Sequence, residues 1–454
     1  MLLLTVLLSQ AVAPVSATDD LRPLSSITTS DVLVIVLMAA GLAMASAGGV
    51  GGGTIVVPLL VLGLGFDIKF ASPSSNFILM GGAIANAMFN LRKRHPHADR
   101  PLVDPDVCLA MVPAMMGGAV LGAFFSRLLP SYAISILFVV LLALAGARTT
   151  HKALRLFRAE KQTHEVGIAV PNSTRSNVDC SSTYHELKSP HRFLGDVSID
   201  LQDGADAASR LESNDDSNAE TLAQLVEEER HFSWTKHGLV VLCYVGILIM
   251  TIAGGLFHCG SVAYWVLLWI EIPWVLCFTA IFIVYMTKRR ALKLSVGFPK
   301  VHGDIDWTGK TVVLFPLGCM AAGIVAGLFG VGGAIIAGPL MLEFGMIPEV
   351  ASSISALLVL YSSAAATTKF ALFDQIAWDW SIALSIMTFV VTATAQVFVL
   401  GYVRRTGKQS IIVFCVAATI LVGAALMSYS AVTSTIEEAH KPFKIEFCGS
   451  RGSK

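Results

Sequence analysis

Two glycine-rich segments carry most of the chemistry available to this 454-residue chain. The first reads Gly49-Val50-Gly51-Gly52-Gly53-Thr54 and is followed by Pro58. The second reads Gly330-Val331-Gly332-Gly333-Ala334 and is followed by Pro339. They align without gaps. Glycine lets a backbone turn sharply and lets helices approach closely. A helix starting just after such a turn presents free N–H groups and the positive end of its dipole. Two such starts, near Thr54 and near Ala334, converging from opposite sides would hold an anion without any basic side chain. Neither segment is a dinucleotide fingerprint, because no soluble βαβ unit surrounds it and no acidic residue follows in a polar strand. Tight helix packing alone would also use these glycines.

Polar residues follow both segments. Ser72, Ser75 and Asn76 open the next helix of the first copy, Ser352 and Ser355 that of the second. They would donate to substrate oxygens, or else make interhelical hydrogen bonds of about 0.6 kcal/mol each. Asn86 and Asn90 carry the same two readings. Glu271, just before Pro273, lies well inside an apolar stretch. An intramembrane carboxylate is costly and functional by default, so it is the candidate proton-coupling group. Lys369 and Glu343 read as interfacial, with Lys369 snorkelling. No His/Cys/Asp/Glu cluster has metal spacing, and no Ser/His/Asp arrangement stands out. The sequence therefore calls for no cofactor and no enzyme. The eight cysteines lack C-x-x-C spacing and read as small hydrophobes.

The elements that must hold these residues are membrane helices. Hydrophobic residues make up 54% of the chain and charged residues 14%, against about 25% in soluble proteins. Mean hydropathy is +0.69. This excludes a soluble enzyme, and a net charge of +0 offers nucleic acid no global field. Apolar stretches at 31–65, 70–91, 107–126, 131–150, 237–258, 261–287, 311–345, 350–373, 380–403 and 410–430 are mostly close to the span length of about 20 residues. The stretches 31–65 and 311–345 are too long. As unbroken helix each would reach about 52 Å, beyond a hydrocarbon core of about 30 Å. Each contains one glycine segment, where it breaks.

Residues 31–150 and 311–430 thus form two transmembrane repeats, with two linking helices within 236–287. Lys and Arg cluster at 92–100, 148–161, 288–293 and 404–408, marking cytosolic ends. The crossings between clusters come out even only if 311–345 is a hairpin dipping from the cytosolic face. By the same count 31–65 dips from the outer face, and the repeats are inverted. Long, kinked single spans are the alternative. Residues 1–17 read as a signal peptide ending in Val15-Ser16-Ala17, which sends the chain to the plasma membrane or another membrane of the secretory route. Trp378 and Trp380 fit an outer interfacial belt. Residues 151–235 read as a polar, disordered cytosolic loop; 153–235 hold 8 basic and 15 acidic residues. Residues 431–454 form a C-terminal tail.

The paired Gly-x-Gly-Gly-(Gly/Ala)…Pro segments, each followed by Ala-Ser-x-x-Ser and several spans, resemble the sulfite exporter TauE/SafE family. The resemblance covers both repeats. It implies an all-α polytopic permease for sulfur-containing anions such as sulfite or organosulfonates, acting as an exporter. Ala334 and Ile335 stand where the first copy has Gly53 and Thr54, making the second hairpin less polar. The long polar loop and signal-like N-terminus suggest a eukaryotic branch. Expected partners are a small anion, the lipid bilayer and cytosolic proteins that bind the loop. The other readings are a passive anion channel, and a membrane receptor or scaffold acting through the loop.

Overall fold

The computed structural model describes residues 27–47, 52–95, 98–169, 219–231, 233–258, 261–298, 304–305, 307–406 and 410–438. The signal peptide, Gly49, Val50, Gly51 and the middle of the polar loop lie outside the described residues.

The described residues form thirteen helices and no named strand. In chain order they are α1 (Thr29–Ala47), α2 (Gly53–Leu62), α3 (Ile68–Asn90), α4 (Pro105–Leu128), α5 (Ser131–Ala169), α6 (219–230) and α7 (Trp234–Gly255). There follow α8 (Val262–Ser295), α9 (Gly309–Phe329), α10 (Ala334–Glu343), α11 (Pro348–Leu372), α12 (Trp378–Thr406) and α13 (Ser410–Glu438). Nine are long and apolar enough to cross a membrane. Backbone groups have no water partner in lipid, so helices are the spanning elements these stretches must form.

Both overlong stretches break at their glycines and fold back. Gly41 of α1 lies against Ile55 of α2, and Gly63 against Val34 near the start of α1. In the second stretch Gly318 lies against Leu340, and the Phe315 and Phe344 rings meet at 5.1 Å. Each long helix is thus paired with an antiparallel half-helix of 10 residues, about 15 Å long. Gly52, Gly330 and Gly332 adopt φ of 77°, 69° and 67°, a region closed to most L-residues. That is why these breaks are built of glycine.

The helix succession α1–α5 recurs as α9–α13, and the packing pairs exchange with it. Helix α4 packs on α9 and α12 on α1; α3 packs on α12 and α4 on α11; α3 meets α11 and α5 meets α13. The α4–α9 crossing is closed by glycines on both sides. Gly118 and Gly122 face the carbonyls of Met320 and Ile324, while Gly323 and Gly327 face those of Met115 and Ala119.

Helices α7 and α8 flank α4. Helix α8 buries a stripe of Leu268, Glu271, Val275, Thr279, Phe282 and Met286. Its other face exposes Val266, Trp269, Leu276 and Ile281, the lipid side of a membrane helix.

The polar loop is helical at both ends. Helix α5 runs on to Ala169, and α6 occupies 219–230. Helix α6 is held by ion pairs. Glu228 meets Arg289 at 2.9 Å and Lys236 at 3.0 Å, and Glu229 is bonded to Lys293. Burial raises the Glu228 carboxyl, but hydrogen bonds from Arg289 and Lys236 outweigh it and leave the group below its usual range. The C-terminal helix also continues past 430, to Glu438. Trp380 is packed against Phe66 and buried, so only Trp378 fits the exposed belt.

Candidate functional site

The two glycine breaks meet in the middle of the bundle. Gly53 sits against the Val331 backbone so closely that a Cβ there would strike it, and Gly330 does the same against the Ser72 backbone. Gly52, Gly53, Thr54 and residues 330–335 are all buried. Helices α2 and α10 therefore begin beside each other, away from water. Among the described residues neither start has a side-chain cap: Gly52 and Gly333 hold the cap positions and make no such bond. Buried, uncapped N-termini leave amide donors needing a partner.

The helices ending at the same place are capped. Ser75 Oγ donates to the Gly330 carbonyl at 2.7 Å and Ser72 Oγ to the Leu328 carbonyl at 3.1 Å. Gln396 Nε2 donates to the Ser46 carbonyl near the end of α1 at 3.3 Å. The negative helix ends are thus answered from within the chain, and the positive ends are left over. For Ser72 and Ser75 these contacts are the interhelical hydrogen bonds that the sequence offered as one of two readings. Each hydroxyl has one proton, and here it is spent on a carbonyl rather than held for a substrate oxygen.

Three buried polar atoms nearby have no partner among the described residues: Thr54 Oγ1, Asn76 Oδ1 and Ser355 Oγ. The Asn76 amide nitrogen is bonded to the Ser72 carbonyl at 3.3 Å. Gly332 lies against Leu79 and Val359, which puts Asn76 and Ser355 about one turn away on α3 and α11. Ser352 is half-buried on the turn before Ser355. A buried orphan atom costs about 1–3 kcal/mol, and such atoms persist where a solute or water completes them.

Glu271 is not at this crossing. It is 1% exposed, accepts from Thr251 Oγ1 at 3.1 Å and pairs with Lys369 at 2.5 Å. Lys369 follows Ser355 by 14 positions on α11, about 21 Å of helix. Lys369 itself is 2% exposed, so it does not snorkel. The carboxylate three helices away is what keeps it inside, a partner that no spacing along the chain discloses.

Asn86 and Asn90 are engaged too. Asn86 accepts from Gln396 at 2.7 Å and Asn90 from Lys93 at 2.7 Å, while Lys93 also donates to Gln396 at 2.9 Å. Gln396 thus ties α1, α3 and a basic side chain together. Sequence reading missed it. Its only signal was a lone amide in an apolar helix.

A polytopic helical bundle whose broken helices meet at its centre has the architecture of a secondary transporter. The family described as Sulfite exporter TauE/SafE matches residues 33–178 and 221–427, and the chain belongs to that family. Sulfite exporter TauE/SafE family protein 5 of Arabidopsis thaliana is 27% identical over 395 residues, covering 85% of this chain and 79% of that protein. Family protein 3 from the same plant is 28% identical over 401 residues, covering 85% and 75%. Family protein 2 is 26% identical over 427 residues, covering 90% and 85%. No solved structure matches the chain. The protein is therefore an integral, multi-pass membrane transporter of a small anion.

Proposed function

We propose that the chain exports a small sulfur-containing oxyanion, sulfite or an organosulfonate, held between the N-termini of α2 and α10. The observation that carries this reading is the pair of buried, uncapped helix starts at Gly52–Thr54 and Gly333–Ala334. Their amides and dipoles favour an anion. The serine and glutamine caps on the opposing carbonyl ends leave the positive ends unopposed. Thr54 Oγ1 and Ser355 Oγ supply further donors. The names of the relatives support sulfite as the first substrate to test.

In this reading the repeats 31–150 and 311–430 are inverted, and the face carrying Lys93, Arg100, Arg289 and Lys293 is cytosolic. Movement of one repeat against the other exposes the crossing alternately to each side. The exchange of packing partners between α1–α5 and α9–α13 supports the symmetry. Glu271 carries the coupling proton, with Lys369 as its counter-ion. The buried pair supports this role, because membrane interiors retain ionisable groups chiefly for function.

The test is flux of labelled sulfite, sulfate and thiosulfate in proteoliposomes, with and without a pH gradient. Sulfite flux should be saturable and should vanish in Gly52→Val and Gly333→Val proteins that still insert. Glu271→Gln should leave residual flux indifferent to the gradient. Unchanged sulfite flux in both glycine variants would remove the crossing as the site.

A further inference from the structure

Where the 92–100 and 288–293 basic clusters come together, a cavity of about 350 Å³ opens next to the recess that α6 lines. Arg100, Arg289, Arg290 and Lys293 line it, with Asp104, Asp106 and Asp304. Lys236 stands at the neighbouring recess. Met346 and Val350, at the α10–α11 turn, also line the cavity. Helix α10 then leads inward for 10 residues to the Gly333 break, about 15 Å deeper.

The chain's own α6 lines the neighbouring recess through Glu228 and Glu229 and binds the cations that the recess shares with the larger cavity. Arg289 holds Asp106 at 2.6 Å and Glu228 at 2.9 Å. Lys236 holds Asp106 at 2.7 Å and Glu228 at 3.0 Å. Glu229 is bonded to Lys293 and lies 3.8 Å from both Arg100 and Arg289. Arg100 is bonded to Asp304. Without α6, five cations face three carboxylates. With it, Glu228 and Glu229 bring the balance to five against five.

We propose that this recess is an entry site for the transported anion, and that Glu228 and Glu229 are its built-in occupants, two tethered carboxylates that an incoming oxyanion must displace. The chemistry is the same for both ligands. Guanidinium and ammonium groups bind carboxylate, sulfite and sulfate oxygens through charge-assisted hydrogen bonds. Without α6 the lining is net positive, and a net positive cavity with low-dielectric walls concentrates anions. Helix α6 is attached to α7 by residues 231–233 and continues on its other side into the long polar segment. It can therefore lift without disturbing a spanning helix. The entry role rests on the transport reading above, while the occupancy of the recess does not.

The experiment uses the full chain with Glu228→Gln/Glu229→Gln. For sulfite offered to the basic face, KM should fall about tenfold and become more sensitive to ionic strength, while KM from the other face stays put. In detergent, phenylglyoxal should modify Arg289 and Arg100 faster in the variant than in the parent, and sulfate should protect both. Unchanged KM together with unchanged arginine reactivity overturns the proposal. If no variant transports sulfite at all, sulfate protection still reports on the recess, so failure of the transport reading is separately visible. Faster modification without sulfate protection would mean that α6 is a structural brace only, and also overturns it.

Discussion

Lys369 and Glu271 show how much a single side chain depends on its partner. The pair is almost wholly buried, and removing one member leaves an uncompensated charge. Glu271→Gln should therefore destabilise the protein by about 3–5 kcal/mol, whereas Glu271→Gln with Lys369→Met should recover most of that loss. Thermal unfolding in detergent measures both. A single variant as stable as the parent would mean that the pair contributes nothing. Thr54 poses the opposite case. Its hydroxyl is buried without a partner among the described residues, so Thr54→Val should change stability by no more than about 1 kcal/mol. Losing one hydrogen bond to an anion should nevertheless raise KM for sulfite about tenfold. An unchanged KM would place the anion elsewhere. The serines at 72 and 75 lie between these cases. Their types were legible in the sequence as donors, but the carbonyls they serve lie about 255 residues away along the chain.

At the scale of elements, the α4–α9 crossing depends on glycines that face backbone carbonyls. Gly323→Val should prevent accumulation of folded protein, while Gly309→Ala, which meets nothing within 4 Å, should be tolerated. Monodispersity after extraction distinguishes the two. Helix α6 makes a different kind of contact, one that titrates. The Glu228 carboxyl lies below its ordinary value of 4.5 in the docked state. A lowered folded value means that the dock is fully present above about 4.5 and is lost as pH falls through the lower folded value. Hydrogen exchange in 219–230 should accordingly stay slow from neutral pH down to the ordinary carboxylate value and rise only as the pH falls below it. Exchange that is equally fast at pH 7 would show that α6 does not dock. Nothing in the composition of 151–235 predicted this helix. The charges there read as solvation, and only the cations of α7, α8 and the 92–100 cluster turn them into a surface that packs.

For the whole molecule, the hairpin geometry makes a topological prediction. Asp31→Cys and Gly65→Cys should label from one side of the bilayer, and cysteines at Lys93 and Lys293 from the other. Labelling of 31 and 65 from opposite sides would contradict the folded-back arrangement. Membrane class, the near-complete list of spans, the two breaks and their pairing were all readable along the chain. Each follows from local quantities: hydropathy over about 20 residues, a stretch too long for the bilayer, and paired runs of glycine that let the backbone turn. Tertiary structure alone decided which polar groups are spent and which are left over. The serines cap α9, Gln396 reaches the end of α1, Lys369 is drawn inward by Glu271, and α6 covers a basic recess. In lipid a buried polar group is stable only with a partner, and that partner is supplied by whichever helix the fold brings alongside. Hydropathy measures a segment's affinity for the membrane and is silent about its neighbours.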